Sequence, residues 1–247
     1  MKILSIDLDF ISGPAILHND QKIYEHCDSD GLDMWPVPKW YELFSTYPNQ
    51  FSHELNIQNY HYCLRTYLRT LAHTSEVYFG YDHDNILYGL EGHTDIEVVN
   101  IDHHDDVFSG NFGSPDDELR SLQQFERIME GNWGLYLRKQ NRLKSFIWIG
   151  NSDSHNLVHI PFAEKHLNNF KFSTPEEYVF DNYEFDQIFV CLSPGYIPPL
   201  HWHMIGTFMT IFEEMTGKEV DLGQFRKKYE MEKYYQQVTD YIRSGKM

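Results

Sequence analysis

Cysteine is scarce in this chain, and the three present, Cys27, Cys63 and Cys191, show no Cys-x-x-Cys spacing. That excludes a disulfide framework and a zinc knuckle as organising devices, and reduced thiols are expected. Long apolar runs are missing as well. No stretch approaches the roughly 20 residues of a membrane span. Met1 leads into a strand-like run rather than a secretory signal, so a cytoplasmic protein with no membrane partner is expected. Basic charge is thin: 20 Lys and Arg against 37 Asp and Glu give a formal net charge of −17. Such a surface does not track nucleic-acid phosphates, and it suits a cationic partner. Internal repeats and low-complexity tracts are absent. What is present, 41% hydrophobic and 16% aromatic residues over 247 positions, exceeds what a disordered chain carries and is enough for one α/β core spanning 1–247.

Chemistry concentrates in three short stretches. Asp102-His103-His104-Asp105-Asp106 follows the apolar run Ile96-Glu97-Val98-Val99-Asn100-Ile101. In an extended backbone side chains alternate faces, which would aim Asp102, His104 and Asp106 one way. At the start of the chain, Ile3-Leu4-Ser5-Ile6 runs into Asp7 and Asp9, again at alternate positions, and Val77-Tyr78-Phe79-Gly80 runs into Asp82-His83-Asp84. Crowded carboxylates repel one another and resist desolvation, and a divalent cation is the usual reason for gathering them at strand ends. In an open parallel sheet, groups beyond the carboxyl ends of the strands meet in one crevice. Asp7, Asp9, His83, Asp102, His104 and Asp106 are therefore the candidate metal ligands. Four carboxylate charges balance two divalent cations, and the oxygen-rich shell favours Mn²⁺, with Fe²⁺, Co²⁺ and Zn²⁺ as alternatives. Hydrolysis by an ionised water is the chemistry such a pair supports.

These motifs resemble those of a known superfamily. Asp-x-His-x-Asp at 102–106, Ser-x-Asp-x-Asp at 5–9 and Asp-His at 82–83 look like the three metal-binding motifs of the arginase and deacetylase superfamily, which in ureohydrolases hold a binuclear manganese centre. Tyr81 to Leu87, Asp102 to Asp106, Glu130-Gly131-Asn132-Trp133 and Phe146-Ile147-Trp148-Ile149 resemble, in that order, a ureohydrolase-like family to which the peptide arginases of ribosomal peptide pathways are similar. The resemblance implies a doubly wound, mostly parallel, three-layer arginase-like sandwich. It also implies a partner: an arginine-containing precursor peptide whose arginines become ornithine with release of urea. In ordinary ureohydrolases the Ser-x-Asp-x-Asp motif follows the other two. Here it comes first, as a circular permutation would place it. The stretch 107–113 lacks the histidine with which free-arginine arginases grip the amino acid, which argues against free arginine as substrate.

Strands are expected at 2–8, 76–82, 96–102, 145–151 and 186–192. Tyr60, Leu64, Tyr67, Leu68 and Leu71 recur at helical spacing, and further helices are expected at 115–129 and 225–242. The segment 11–38, with Pro14, Pro36 and Pro38, reads as a long functional loop. Asn132 and Trp133 can hold a planar guanidinium by hydrogen bonding and cation–π stacking, or can cap a helix and fill the core. After the strand at 145–151, Asp153 can bind a cationic substrate and His155 can protonate a departing amine, or both can be turn residues. Asp106 is expected to be both a ligand and a catalytic hydrogen-bonding group. His201 and His203 read as surface groups. Asp102-His103-His104 also resembles the Asp-His-His motif of a phosphoesterase family, and a deacetylase-like amide hydrolase or a non-catalytic binding protein shares the same fold expectation. The scarcity of Lys and Arg near these motifs disfavours a phosphate substrate.

Overall fold

The computed structural model describes residues 1–12, 55–74, 76–107, 128, 130–152, 154–167, 169–193, 196–197 and 201–220. The expected helix at 225–242, that at 115–129 apart from Ile128, the expected loop beyond Ser12, Cys27 and Asp153 lie outside them.

Six strands build one sheet: β1 (Lys2–Asp7), β2 (Val77–Gly80), β3 (Ile96–Ile101), β4 (Leu143–Ile149), β5 (Phe170–Ser173) and β6 (Gln187–Cys191). Their order is β2-β6-β1-β3-β4-β5 and every pairing is parallel. Parallel strands are covered on both faces, which is why these segments read as nearly continuous apolar runs. The expected strands appear, shorter at their carboxyl ends. β4 begins earlier, at Leu143, and β5 at the sheet edge was not expected.

Alternation along the strands divides the core in two. Leu4, Ile6, Val99, Ile101, Ile188 and Val190 face α1 (Ile57–Leu71) and α5 (Trp202–Thr216), which contribute Tyr67 and Phe208. Ile3, Val98, Phe146, Trp148 and Phe189 face α2 (Ile86–Gly89), α3 (Trp133–Lys139) and α4 (Ile160–His166). The result is a three-layer α/β sandwich. Asn56 starts α1 by accepting a hydrogen bond from the Asn59 backbone N–H at 3.1 Å, satisfying a donor the first helical turn would otherwise leave open. The buried stripe of α1 is Tyr62, Cys63, Thr66, Tyr67, Thr70 and Leu71. Leu68, expected on that face, is 37% exposed at its edge, and Thr66 and Thr70 join the aromatic and apolar residues turned inward. Gly217 closes α5 with φ 67°, a left-handed turn that glycine adopts without a Cβ clash. Among the described residues no helix is long and apolar enough to cross a membrane.

β1 lies mid-sheet, between β6 and β3. The chain leaves it by way of α1 to reach β2 at the far edge, and β3 returns to its other side. The carboxyl ends of β1 and β3 thus flank the point where the winding reverses, where open α/β sheets hold their ligands.

Candidate metal centre

Three backbone endings position the site. β1 stops at Asp7, whose side-chain Oδ1 accepts the backbone N–H of Asp9 at 3.0 Å and turns the chain into a 3-10 segment, Leu8–Ile11. β3 stops at Ile101, and Asp102 Oδ1 accepts the backbone N–H of His104 at 2.8 Å. β2 stops at Gly80, and a 3-10 turn, His83–Asn85, brings His83 back over the sheet. A Cβ on Gly80 would fall 2.7 Å from Asn85 Cβ, so glycine lets that turn close. Strand alternation, the expected means of convergence, is therefore corrected: Asp9, His104 and Asp106 lie beyond the strands, and aspartate-headed turns aim them. Asp106 adopts φ 54°, a left-handed conformation that aspartate tolerates better than most residues.

All six candidate ligands meet. An inner group surrounds His83, whose Nδ1 lies 3.1 Å from Asp7 Oδ2, 3.0 Å from Asp102 Oδ2 and 2.8 Å from Asp106 Oδ2. An outer group joins Asp9, Asp102 and His104, with His104 Nδ1 2.9 Å from Asp9 Oδ2 and 3.8 Å from Asp102 Oδ1. Donor atoms of His83, Asp102 and Asp106 stand within 4.8 Å of one another, as do those of Asp9, Asp102 and His104, as ligands of one ion do. Asp102 belongs to both, one oxygen toward each.

This geometry fits cations better than protons. One imidazole proton cannot satisfy three carboxylate oxygens, and His83 Nδ1 makes no well-aligned hydrogen bond with any of them. Asp9 Oδ1 is also buried without a hydrogen bond. Ser5 Oγ lies 2.6 Å from His83 Nε2. If Nε2–H donates to it, the Nδ1 lone pair points into the carboxylates, the orientation usual for a metal-bound imidazole. Without a cation the charges strain one another. Burial pushes Asp9 up to about 7, helped by neighbouring Asp7 and Asp102. Burial likewise pushes Asp102 up to about 7, helped by Asp106 and Asp7. Burial would also raise Asp7, but the close approach and positive charge of His83 outweigh it and hold that carboxyl below its ordinary value. For His83, burial favours the neutral ring, but the charge of Asp106 and the close approach of Asp102, Asp106 and Asp7 override it and hold the imidazolium well above its usual range.

A supporting layer was not legible in the motifs. Trp133 Nε1–H donates to Asp106 Oδ2 at 2.7 Å, and the Asn100 side-chain N–H₂ reaches Asp102 Oδ2 at 3.1 Å and Asp106 Oδ2 at 3.3 Å. Trp133 is wholly buried, tilted against His83 with ring centroids 5.2 Å apart. Of the two readings open for Trp133, its burial favours the core tryptophan, whose N–H grips Asp106 while no face of the indole reaches solvent. Asn132 is equally buried. His103 and Asp105 belong to neither group, the His103 ring standing edge-on to that of His104 with centroids 4.9 Å apart. Ser154 Oγ donates to the His103 carbonyl at 2.9 Å, and His159 Nδ1 lies 2.8 Å from Asp105 Oδ2. The backbone of His155 opens a 3-10 turn, His155–His159, beyond β4; its side chain and all of Asp153 lie outside the described residues. His201 and His203, at the start of α5, have ring centroids 6.4 Å apart, and His203 is exposed. One potential ligand was missed: Cys191, at the end of β6, stands within 4.8 Å of donor atoms of Asp7 and His83. Compared with protein-family models, curated proteins and solved structures, the chain finds no match.

Proposed function

We propose that this protein is a binuclear metal-dependent hydrolase that converts arginine residues of a precursor peptide to ornithine with release of urea. The observation that carries the reading is Asp102, whose two oxygens face two separate groups of donor atoms, as a carboxylate bridging two ions does. Bound divalent cations, Mn²⁺ first among them, would ionise a water and polarise the substrate carbon. The chain's own residues do the rest. Asp7, Asp102, Asp106 and His83 would hold the inner ion, and Asp9, Asp102 and His104 the outer one. Trp133 and Asn100 fix the orientation of Asp106 by donating to its Oδ2. Its other oxygen can then accept a proton from the attacking water and pass it to the departing nitrogen. His155 is the second candidate donor, and Asp153, two positions before it in the sequence, is the candidate partner of the guanidinium. The central place of β1 supports a permuted ureohydrolase-like arrangement, since its carboxylates reach the crevice wherever in the chain they are encoded. The net charge of −17 suits a cationic peptide, and the free buried thiols Cys63 and Cys191 suit a cytoplasmic setting.

Mass spectrometry of arginine-containing peptides, and of free arginine, after incubation with the Mn²⁺-loaded protein tests the proposal. A loss of about 42 Da per arginine from peptides and not from the free amino acid is the expected result. Release of nitrophenol from a nitrophenyl phosphodiester, with arginine untouched, would replace it with a phosphoesterase.

A further inference from the structure

We infer that Cys191 is a ligand of the inner ion beside Asp7 and His83, and that its thiolate tilts the centre toward Zn²⁺, Fe²⁺ or Co²⁺ over Mn²⁺. The inference rests on the metal reading above and goes past its ligand set. In the parallel pairing of β1 with β6, Cys191 is the direct partner of Asp7, so the two side chains stand next to each other on one face of the sheet. Sγ, a ring nitrogen of His83 and a carboxylate oxygen of Asp7 all lie within 4.8 Å of one another, and all three residues are buried. A second, independent sign is His83 Nδ1, in a residue only 3% exposed, which has carboxylate oxygens on three sides and no hydrogen bond of acceptable geometry.

A bound divalent cation would take Cys191 as a thiolate by displacing its proton. Ser193 Oγ lies 3.1 Å from Sγ and also hydrogen-bonds Asp7, which places one hydroxyl between the two donor residues. Ser193 is held at φ 40°, a left-handed conformation uncommon for serine. The competing role is a plain strand thiol donating weakly to the Tyr81 carbonyl at 3.5 Å. That role does not explain why the sulfur stands among metal-type donors. A thiolate ligand discriminates between ions in a way the carboxylates do not: soft sulfur prefers Zn²⁺, Fe²⁺ or Co²⁺, whereas an all-oxygen and imidazole shell admits Mn²⁺ readily.

Co²⁺ titration of the metal-free, reduced, full-length protein reads the ligand directly. Binding gives visible d–d bands, and a sulfur ligand adds a near-ultraviolet sulfur-to-cobalt charge-transfer band. Wild type should show both. Cys191→Ser should keep the visible bands, lose the charge-transfer band and lower the preference for Zn²⁺ over Mn²⁺ by about tenfold or more. If Cys191→Ser does not fold, a Cys27→Ser/Cys63→Ser double variant, which leaves Cys191 as the single thiol, should retain the charge-transfer band. Visible bands without charge transfer in wild type, or charge transfer that survives Cys191→Ser, overturns the assignment while leaving the metal centre standing. Absence of any cobalt band in wild type overturns the metal centre itself.

Discussion

The inner and outer groups of the candidate centre use the same residue types in different settings. His83 sits at 3% exposure beneath Trp133 and Phe189, whereas the His104 side chain is 19% exposed. The inner group gathers three carboxylates, an imidazole and a thiol, backed by donors from Trp133 and Asn100 and by Ser5 Oγ at His83 Nε2. The outer group has two carboxylates and an imidazole in an edge-on contact with the Tyr196 ring. A deep, crowded, oriented shell holds an ion tightly and exchanges it slowly. A shallower one leaves room for water and substrate. On the proposed binuclear reading, an inner ion would be the anchor and an outer one the exchangeable, substrate-facing partner.

Breaking the shared element should have the largest effect. Asp102→Asn removes the bridging charge, so both ions are lost and peptide hydrolysis falls by at least about 100-fold. Metal content measured on the purified variant checks this, and a variant that keeps two ions and full turnover removes the binuclear reading. The two imidazoles should then separate the groups. His104→Ala is expected to retain one tightly held ion per chain, whereas His83→Ala loses the inner ion and weakens the outer one through Asp102. Equal losses in both variants would erase the distinction between them. Trp133→Phe, which keeps the packing against His83 and Phe146 and deletes only the donor to Asp106, should weaken metal binding by about tenfold with little change in fold, as isothermal titration would read.

The pH dependence of the metal-free protein is a finer probe. Asp9 and Asp102 have folded values of about 7 against an ordinary 3.8, so between those values the native state binds more protons than the unfolded chain. Their stabilising contribution is complete below about pH 4 and is lost as pH rises through about 7. Asp7, held low, acts the other way and matters only below its ordinary range. Thermal melts of the stripped protein should therefore drop by several degrees between about pH 5 and about pH 8. Saturating metal should reverse the trend, because its ligands must be deprotonated to bind. A stripped protein that gains stability over that interval contradicts the described electrostatics.

Much of the sheet was legible because parallel strands buried on both faces are written as apolar runs. β5, Phe-Lys-Phe-Ser, was not, because an edge strand of four residues with exposed Lys171 carries too short a signal. The six candidate ligands were legible as acidic and imidazole residues at strand ends, but the turns that gather them were not. Asx-type hydrogen bonds such as Asp7 to the Asp9 N–H leave no period in a sequence. Trp133 stayed open between substrate platform and core residue because its partner Asp106 lies 27 positions away and only the tertiary fold joins them. Cys191 was hidden by its own chemistry, since within Gln-Ile-Phe-Val-Cys a cysteine counts as one more small apolar residue.

The place of β1 governs when the centre can exist. Its hydrogen-bonding partners are β3 and β6, and β6 begins at Gln187, more than a hundred residues further along the chain. A ribosome would release the segment bearing Asp7 and Asp9 first and the strand that secures it far later. Until then the segment can pair with β3 alone and its other edge stays open, since such distant parallel pairings form slowly. The six candidate ligands all precede residue 107, so β1, β2 and β3 can gather them while the second half of the sheet is still being made. β6 then clasps the middle strand from its other side and brings Cys191 to the inner group last.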